Sequence, residues 1–207
     1  MRLRDIGQEY EGRVEVEWKA LPLEWVNNRP TPRDVLEGEW WLAALHEPRA
    51  RFAPYTAPDY PDSTLPAFEA TKCASEQGAY LGRRYDLALR EAFFGRNMNI
   101  SRRDVLLQLA GEIGLDVRRF EQDLDAGRGK EAVRADYDEG SAFLDPRGSP
   151  SFVLPDNTQV FNPAAADITF RDGRVVAVGA MPCLGDDCDH VYRDLLNQAA
   201  ASGAVHR

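Results

Sequence analysis

One short stretch narrows the folding options of this chain more than any other. Gly148-Ser149-Pro150-Ser151 runs straight into Phe152-Val153-Leu154, and Pro155-Asp156-Asn157 closes the run. A short apolar run bounded by turn residues reads as a buried strand. Proline has no N–H to give to a sheet ladder, so Pro150 belongs at the strand's first position. An X-Pro bond also adopts cis far more cheaply than any other peptide bond. We expect Ser149–Pro150 to be cis and to border a groove. An ordinary trans proline opening a strand is the alternative.

The segments upstream of this turn are mostly helical. Leu3, Ile6 and Tyr10 have near-helical spacing, and Gly12 follows as a stop. Val14, Val16 and Trp18 alternate with Glu15, Glu17 and Lys19, which predicts a strand over 13–18 with one face in the core. Leu21 to Trp25 reads as extended loop. Thr31-Pro32-Arg33-Asp34 has the form of a capping box, with Thr31 as N-cap, and predicts a helix to about Leu45. Residues 46–66 hold five prolines and read as a surface loop. Helices are then expected from Pro66 to Gln77 and from Tyr80 to Phe94. A second capping box, Ser101 to Asp104, opens a helix that Gly114 stops; Asp116 caps a short one, and 130–145 holds the last.

Beyond Leu154 a short strand is expected from Thr158 to Phe161. Ile168-Thr169-Phe170 and Val175-Val176-Ala177-Val178 flank Asp172-Gly173, a strong hairpin signal. Asp186 to Ala200 reads as the closing helix.

A chain of 207 residues suffices for one domain, or one domain with a helical insertion. A net charge of −9 argues against a general nucleic-acid binder. No apolar run approaches about 18 residues, so no membrane partner is expected. The opening Met1-Arg2-Leu3-Arg4-Asp5 lacks the apolar core of a signal peptide. We therefore expect a cytoplasmic protein, in which three cysteines serve packing or chemistry rather than structural cross-linking.

Cys183 and Cys188 straddle Gly185 in a Cys-x4-Cys arrangement at the start of the last helix. There the partial positive charge of the helix terminus favours a thiolate, while Asp186 and Asp187 oppose it. Three readings fit this pair: a dithiol redox couple, two small residues packed under a helix, or, with His190, an incomplete metal set. The last spacing is not a usual zinc pattern, so no metal is expected. Cys73 lies alone on a helix and reads as inert packing. His46 and His206 receive no role. The acidic pairs Asp123/Asp125 and Asp136/Asp138 read as solvated helix faces.

The order of these segments carries a resemblance. Val14 through Glu24, Arg90-Glu91-Ala92-Phe93-Phe94, Asn99 through Asp116, and Gly148 through Val153 together resemble the DsbA family of thioredoxin-like proteins, in its FrnE and 2-hydroxychromene-2-carboxylate isomerase branch. The resemblance implies an α/β thioredoxin-like fold with a helical insertion, divided as 1–63, 64–145 and 146–207. It implies that Ser149 and Pro150 lie at the substrate-binding turn, whose backbone pairs with extended substrate. FrnE-type proteins carry a similar second cysteine pair with four residues between, which favours Cys183 and Cys188 as the catalytic thiols.

The family's usual Cys-x-x-Cys stands after a first strand, and hydroxychromene isomerases place a catalytic serine there and use glutathione. This sequence holds neither the strand nor the motif. We expect the missing strand to lie upstream of Met1, its place flanked by 13–18 and 151–154. Three functions follow from the resemblance. One is a thiol–disulfide oxidoreductase, truncated or relying on Cys183 and Cys188. Another is a glutathione-dependent isomerase or transferase. The third is a non-catalytic module that keeps the Pro150 groove. Protein thiols or glutathione are the expected partners, with glutathione a co-substrate rather than a bound cofactor. The oligomeric state stays open, a homo-oligomer included.

Overall fold

A computed structural model describes residues 2–144, 148–171 and 174–204. The chain forms two compact units that alternate along the sequence. One takes in Met1–Trp18, Pro32–Ala50 and Leu144–Arg207; the other takes in Lys19–Thr31 and Arg51–Phe143.

The second unit is helical. It contains α2 (Leu23–Val26), α4 (Leu65–Ser75), α5 (Ala79–Arg96), α6 (Arg103–Ile113), α7 (Val117–Asp125) and α8 (Arg128–Phe143). Helix α4 packs against α5, α6, α7 and α8. Its buried residues are Ala67, Ala70, Cys73 and Ala74, all small, so neighbouring helices approach closely. A backbone approach of this kind is at Gly129 of α8, where an added Cβ would stand 2.2 Å from the Glu69 carbonyl oxygen and 3.0 Å from Cys73 Sγ. Tyr85 and Phe120 pack 5.2 Å apart, and the Tyr85 hydroxyl donates to the Leu106 carbonyl at 2.9 Å. Asp116 caps α7 by accepting from the Arg119 N–H at 3.0 Å, a bond worth about 1 kcal/mol at such positions. Gly114 ends α6 at φ +86°, the left-handed conformation that glycine adopts freely.

Two early readings change here. Residues 47–64 are irregular, as expected, yet Tyr55 is 2% exposed and packs on Tyr60 and Phe93. The Ala53 N–H donates to the Phe94 carbonyl at 2.8 Å, so this proline-rich stretch is anchored in the core rather than laid over the surface. The acidic pairs also divide. Asp125 and Asp138 are exposed, but Asp123 and Asp136 are buried. Asp136 accepts from the Ala20 N–H at 2.6 Å and pairs with Lys72. Asp123 lies 3.4 Å from Arg128. A buried carboxylate persists where such partners replace water. With the Arg134 guanidinium 4.1 Å over the Trp25 ring, the Asp136 bond fastens residues 19–31 to α8.

The other unit is mixed. It contains α1 (Arg2–Gly7), α3 (Arg33–His46), strands β1 (Ser151–Val153), β2 (Gln159–Phe161), β3 (Ile168–Arg171) and β4 (Arg174–Val178), and helix α9 (Asp189–Ala204). Antiparallel β1 and β2 form one two-stranded sheet, with Phe152 opposite Val160; antiparallel β3 and β4 form another, bulged at Thr169/Phe170. The Asp172-Gly173 turn expected between β3 and β4 lies outside the described residues. Ile6 and Tyr10 pack with Leu196, and Leu3, Val14, Val16 and Tyr192 close over them.

The strand expected over 13–18 does not form. Val14 and Val16 face the core and Glu15 and Glu17 face solvent, so the alternation holds that far, but Trp18, expected on the core face, is exposed. Alternation places side chains, but a strand also needs a partner for its backbone ladder, and among the described residues β1 pairs only with β2. Helices α3 and α6 also begin one residue later than their capping boxes suggested, with Pro32 and Arg102 at the N-cap and no side-chain cap.

Gly129→Ala should cost about 1–3 kcal/mol, because the methyl group has no room against α4. Gly111→Ala, where a Cβ meets nothing closer than 3.8 Å, should be neutral or gain about 0.5–1 kcal/mol from helix propensity. Urea unfolding midpoints of the two variants check the contrast.

Candidate active site

Cys183 and Cys188 are joined in a disulfide, with Cα atoms 4.9 Å apart. The chain turns between them because Gly185 sits at φ +52° and begins a 3-10 turn, Gly185–Cys188, that leads into α9. Both are buried, Cys183 at 4% and Cys188 at 1% exposure, against Ala164, Val191 and Tyr192. Pro182 and Leu184 beside Cys183 are exposed. Cys183 therefore lies on a surface loop, whereas Cys188 is anchored at the helix.

A third ligand-type residue joins the pair, and it is not His190. His190 is exposed, with Nδ1 2.5 Å from the Asp187 carbonyl oxygen. The partner is His46, the last residue of α3: its ring nitrogen and the two Sγ atoms all lie within 4.8 Å of one another. Burial, helped by the Arg2 charge, holds the His46 imidazole below its ordinary pKa, so it is neutral at pH 7. Sequence spacing could not reveal it, because α3 is far from the cysteines along the chain. Position gave a faint signal, since a helix C-terminus commonly holds a His. His206, which received no role, lies outside the described residues.

Arg2 organises this region. Its buried guanidinium donates to the His46 carbonyl at 2.6 Å and the Gly185 carbonyl at 2.9 Å, pairs with Asp189, and stands 3.7 Å from Glu47. Arg49 reinforces it, 2.7 Å from Glu47 and 3.4 Å from Asp189. Burial raises the Glu47 pKa, but the Arg49 hydrogen bond and the Arg2 charge outweigh it, and the carboxyl sits below its ordinary value.

Ser149 and Pro150 are both exposed, and the peptide between them is cis. The Pro150 carbonyl accepts from the Asn162 N–H at 2.9 Å, and Ser151 Oγ donates to the Gly148 carbonyl at 2.7 Å. Behind the turn, Phe152 meets Tyr192 edge-on at 6.3 Å, and Tyr192 packs on the disulfide cluster. One aromatic contact thus links β1 to the cysteine pair.

Cys73 is different in kind. It is fully buried, and burial, with Asp123, Glu69 and Glu76 nearby, pushes its thiol up to about 11 against the pull of a Gly129 hydrogen bond. At neutral pH it remains a thiol, which is a poor nucleophile.

A family model described as thioredoxin matches residues 59–164, about half of the chain. The ClpXP adapter protein SpxH of Halalkalibacterium halodurans is 39% identical over 85 residues, which is 41% of this chain and 28% of that protein. The match thus spans under a third of that relative's length. Two solved structures share the fold. The cytosolic disulfide reductase DsbM of Pseudomonas aeruginosa is 20% identical with TM-score 0.58, covering 99% of this chain and 87% of that one. A candidate protein disulfide isomerase of Nitrosomonas europaea is 15% identical with TM-score 0.56, covering 95% and 87%. The α/β architecture with its helical unit is thus a thioredoxin-like fold of the DsbA kind. Among the described residues no helix is long and apolar enough to cross a membrane.

Arg2→Met should destabilise the chain by about 3–5 kcal/mol, the cost of removing one partner from a buried ion pair. Glu47 should give the unmodified protein an acid-sensitive component. Its folded pKa is depressed, so its contribution is complete above its unfolded value of 4.5 and is lost as pH falls through the folded one. Chemical unfolding at stepped pH reads both effects. In the same samples, graded peroxide and alkylation after reduction should modify Cys183 and Cys188 well before Cys73.

Proposed function

We propose, for a chain that belongs to the thioredoxin family, a thiol–disulfide exchange activity carried by Cys183 and Cys188. The observation that carries this reading is the bonded pair itself, set at the head of α9 within the mixed unit. The name of the DsbM neighbour agrees with a disulfide-reducing role in the cytoplasm, where we place this protein.

In the reducing direction, the Cys183 thiolate attacks one sulfur of a substrate disulfide. That bond breaks, and its other sulfur leaves as a thiolate and takes up a proton. The Cys188 thiolate then attacks Cys183 Sγ, which closes the Cys183–Cys188 bond and releases the second substrate thiol. Two electrons and two protons have passed to the substrate. Two molecules of glutathione, oxidised to their disulfide, return the pair to dithiol. Cys183 is assigned the attack because it lies on the exposed loop, and Cys188 the resolution because the helix holds it. Neutral His46 is placed to take the proton from the attacking thiol. Extended substrate is assigned to the Ser149–Pro150 turn and the outer edge of β1, where Ser151 and Val153 present backbone groups away from β2.

A second reading has one observation in its favour, the adapter described for the SpxH relative. In it the same edge binds protein without chemistry. Turnover of a quenched peptide disulfide in glutathione separates the two. Under the exchange reading, Cys183→Ser falls to the uncatalysed rate and Cys188→Ser accumulates a mixed disulfide visible by mass spectrometry, while Cys73→Ala retains activity. If Cys183→Ser turns over as fast as the unmodified protein, the exchange reading is wrong.

A further inference from the structure

His46 suits coordination chemistry as well as the proton transfer assigned to it above. A neutral imidazole and two thiols form a ligand set for a soft or borderline cation. We propose that Cys183, Cys188 and His46, once the disulfide is reduced, form a binding site for a thiophilic divalent cation, zinc foremost. The site rests only on the reducibility of the pair, so it stands or falls separately from the catalytic reading above.

Three observations carry it. The donor atoms are already gathered, with both Sγ atoms and a His46 ring nitrogen within 4.8 Å of one another. A tetrahedral zinc with bonds of about 2.3 Å to sulfur and 2.0–2.1 Å to nitrogen needs donors roughly 3.5–3.8 Å apart. Side-chain rotation alone covers the difference once the sulfurs separate. The site is also screened from water, because both cysteines are buried. Finally, the backbone of all three ligand segments is fixed without help from any metal. Arg2 holds the carbonyls of His46 and Gly185 and pairs with Asp189, the residue after Cys188. A preset backbone lowers the ordering cost of ligation.

The redox step balances as follows. A dithiol reductant gives two electrons and two protons to the Cys183–Cys188 bond and closes its own disulfide; the chain gains two thiols. The cation then binds both sulfurs as thiolates and releases both protons to solvent, while His46 ligates through its unprotonated nitrogen. Three protein ligands leave a fourth position for water or an incoming thiol. Disulfide and metal exclude each other, so the site reports the state of the local thiol pool.

The test uses protein reduced with a phosphine and freed of oxygen. Zn2+ is titrated against a chromophoric chelator, and Co2+ provides thiolate-to-metal charge-transfer absorption as a direct signature. We expect one equivalent bound by the reduced form and none by the oxidised form, with Cys73→Ala unchanged. His46→Gln should weaken binding by at least about 10–100-fold, and His46→Cys should restore it with a stronger charge-transfer band. The proposal is overturned if reduced and oxidised protein bind Zn2+ alike, or if His46→Gln binds as tightly as the unmodified chain. The comparison of redox states decides the matter even where a variant fails to fold.

Discussion

A single buried guanidinium holds the mixed unit together. Taking Arg2 out of water costs several kcal/mol, and the cost is offset only because the fork finds Asp189, two backbone carbonyls and, a little farther off, Glu47. Those partners lie at the end of α3, in the turn between the two cysteines, and at the start of α9. The arrangement calls for arginine, since lysine offers a point charge where several acceptors must be met in a fixed geometry. The cysteine pair and His46 all lie within two residues along the chain of a group that Arg2 holds.

The three cysteines show how completely surroundings decide what a thiol does. Cys73 is enclosed by small residues and carboxylates, which disfavour its thiolate. Cys183 and Cys188 are equally hidden from solvent, but they face each other and an imidazole. Burial makes the first inert and keeps the other two from reacting with anything except a partner brought to them. Residue type and exposure are the same in both places; the neighbours differ.

Features governed by near neighbours in the chain were legible in the sequence. Asp116 and Gly114 mark the boundaries of α7 and α6 because a cap is a matter of three or four residues. The run of helices between 65 and 143 followed from periodicity for the same reason. What failed depended on distant parts. The alternation gave the facing of Val14 and Val16 without a partner strand, and it misplaced Trp18, which is 53% exposed. Asp136 looked solvated because Lys72 and the Ala20 N–H that receive it belong to other segments. His46 looked idle because its meeting with Cys183 and Cys188 spans most of the chain. His190, near in sequence, pointed elsewhere.

The interleaving of the two units bears on the order in which the chain gains structure during synthesis. Every segment of the helical unit has been made once Phe143 is in place. The mixed unit must wait, because the contacts that define it join α1 to α9. Arg2 meets Asp189 across a separation of 187 residues, and Tyr10 meets Asn197 across the same distance. At ribosomal speeds of about 5–20 residues per second, α1 waits roughly ten seconds or longer for α9. In that interval Leu3, Ile6 and Tyr10 have only Val14 and Val16 for cover. Of the two units, the mixed one therefore stays open to chaperones and to aggregation for longer.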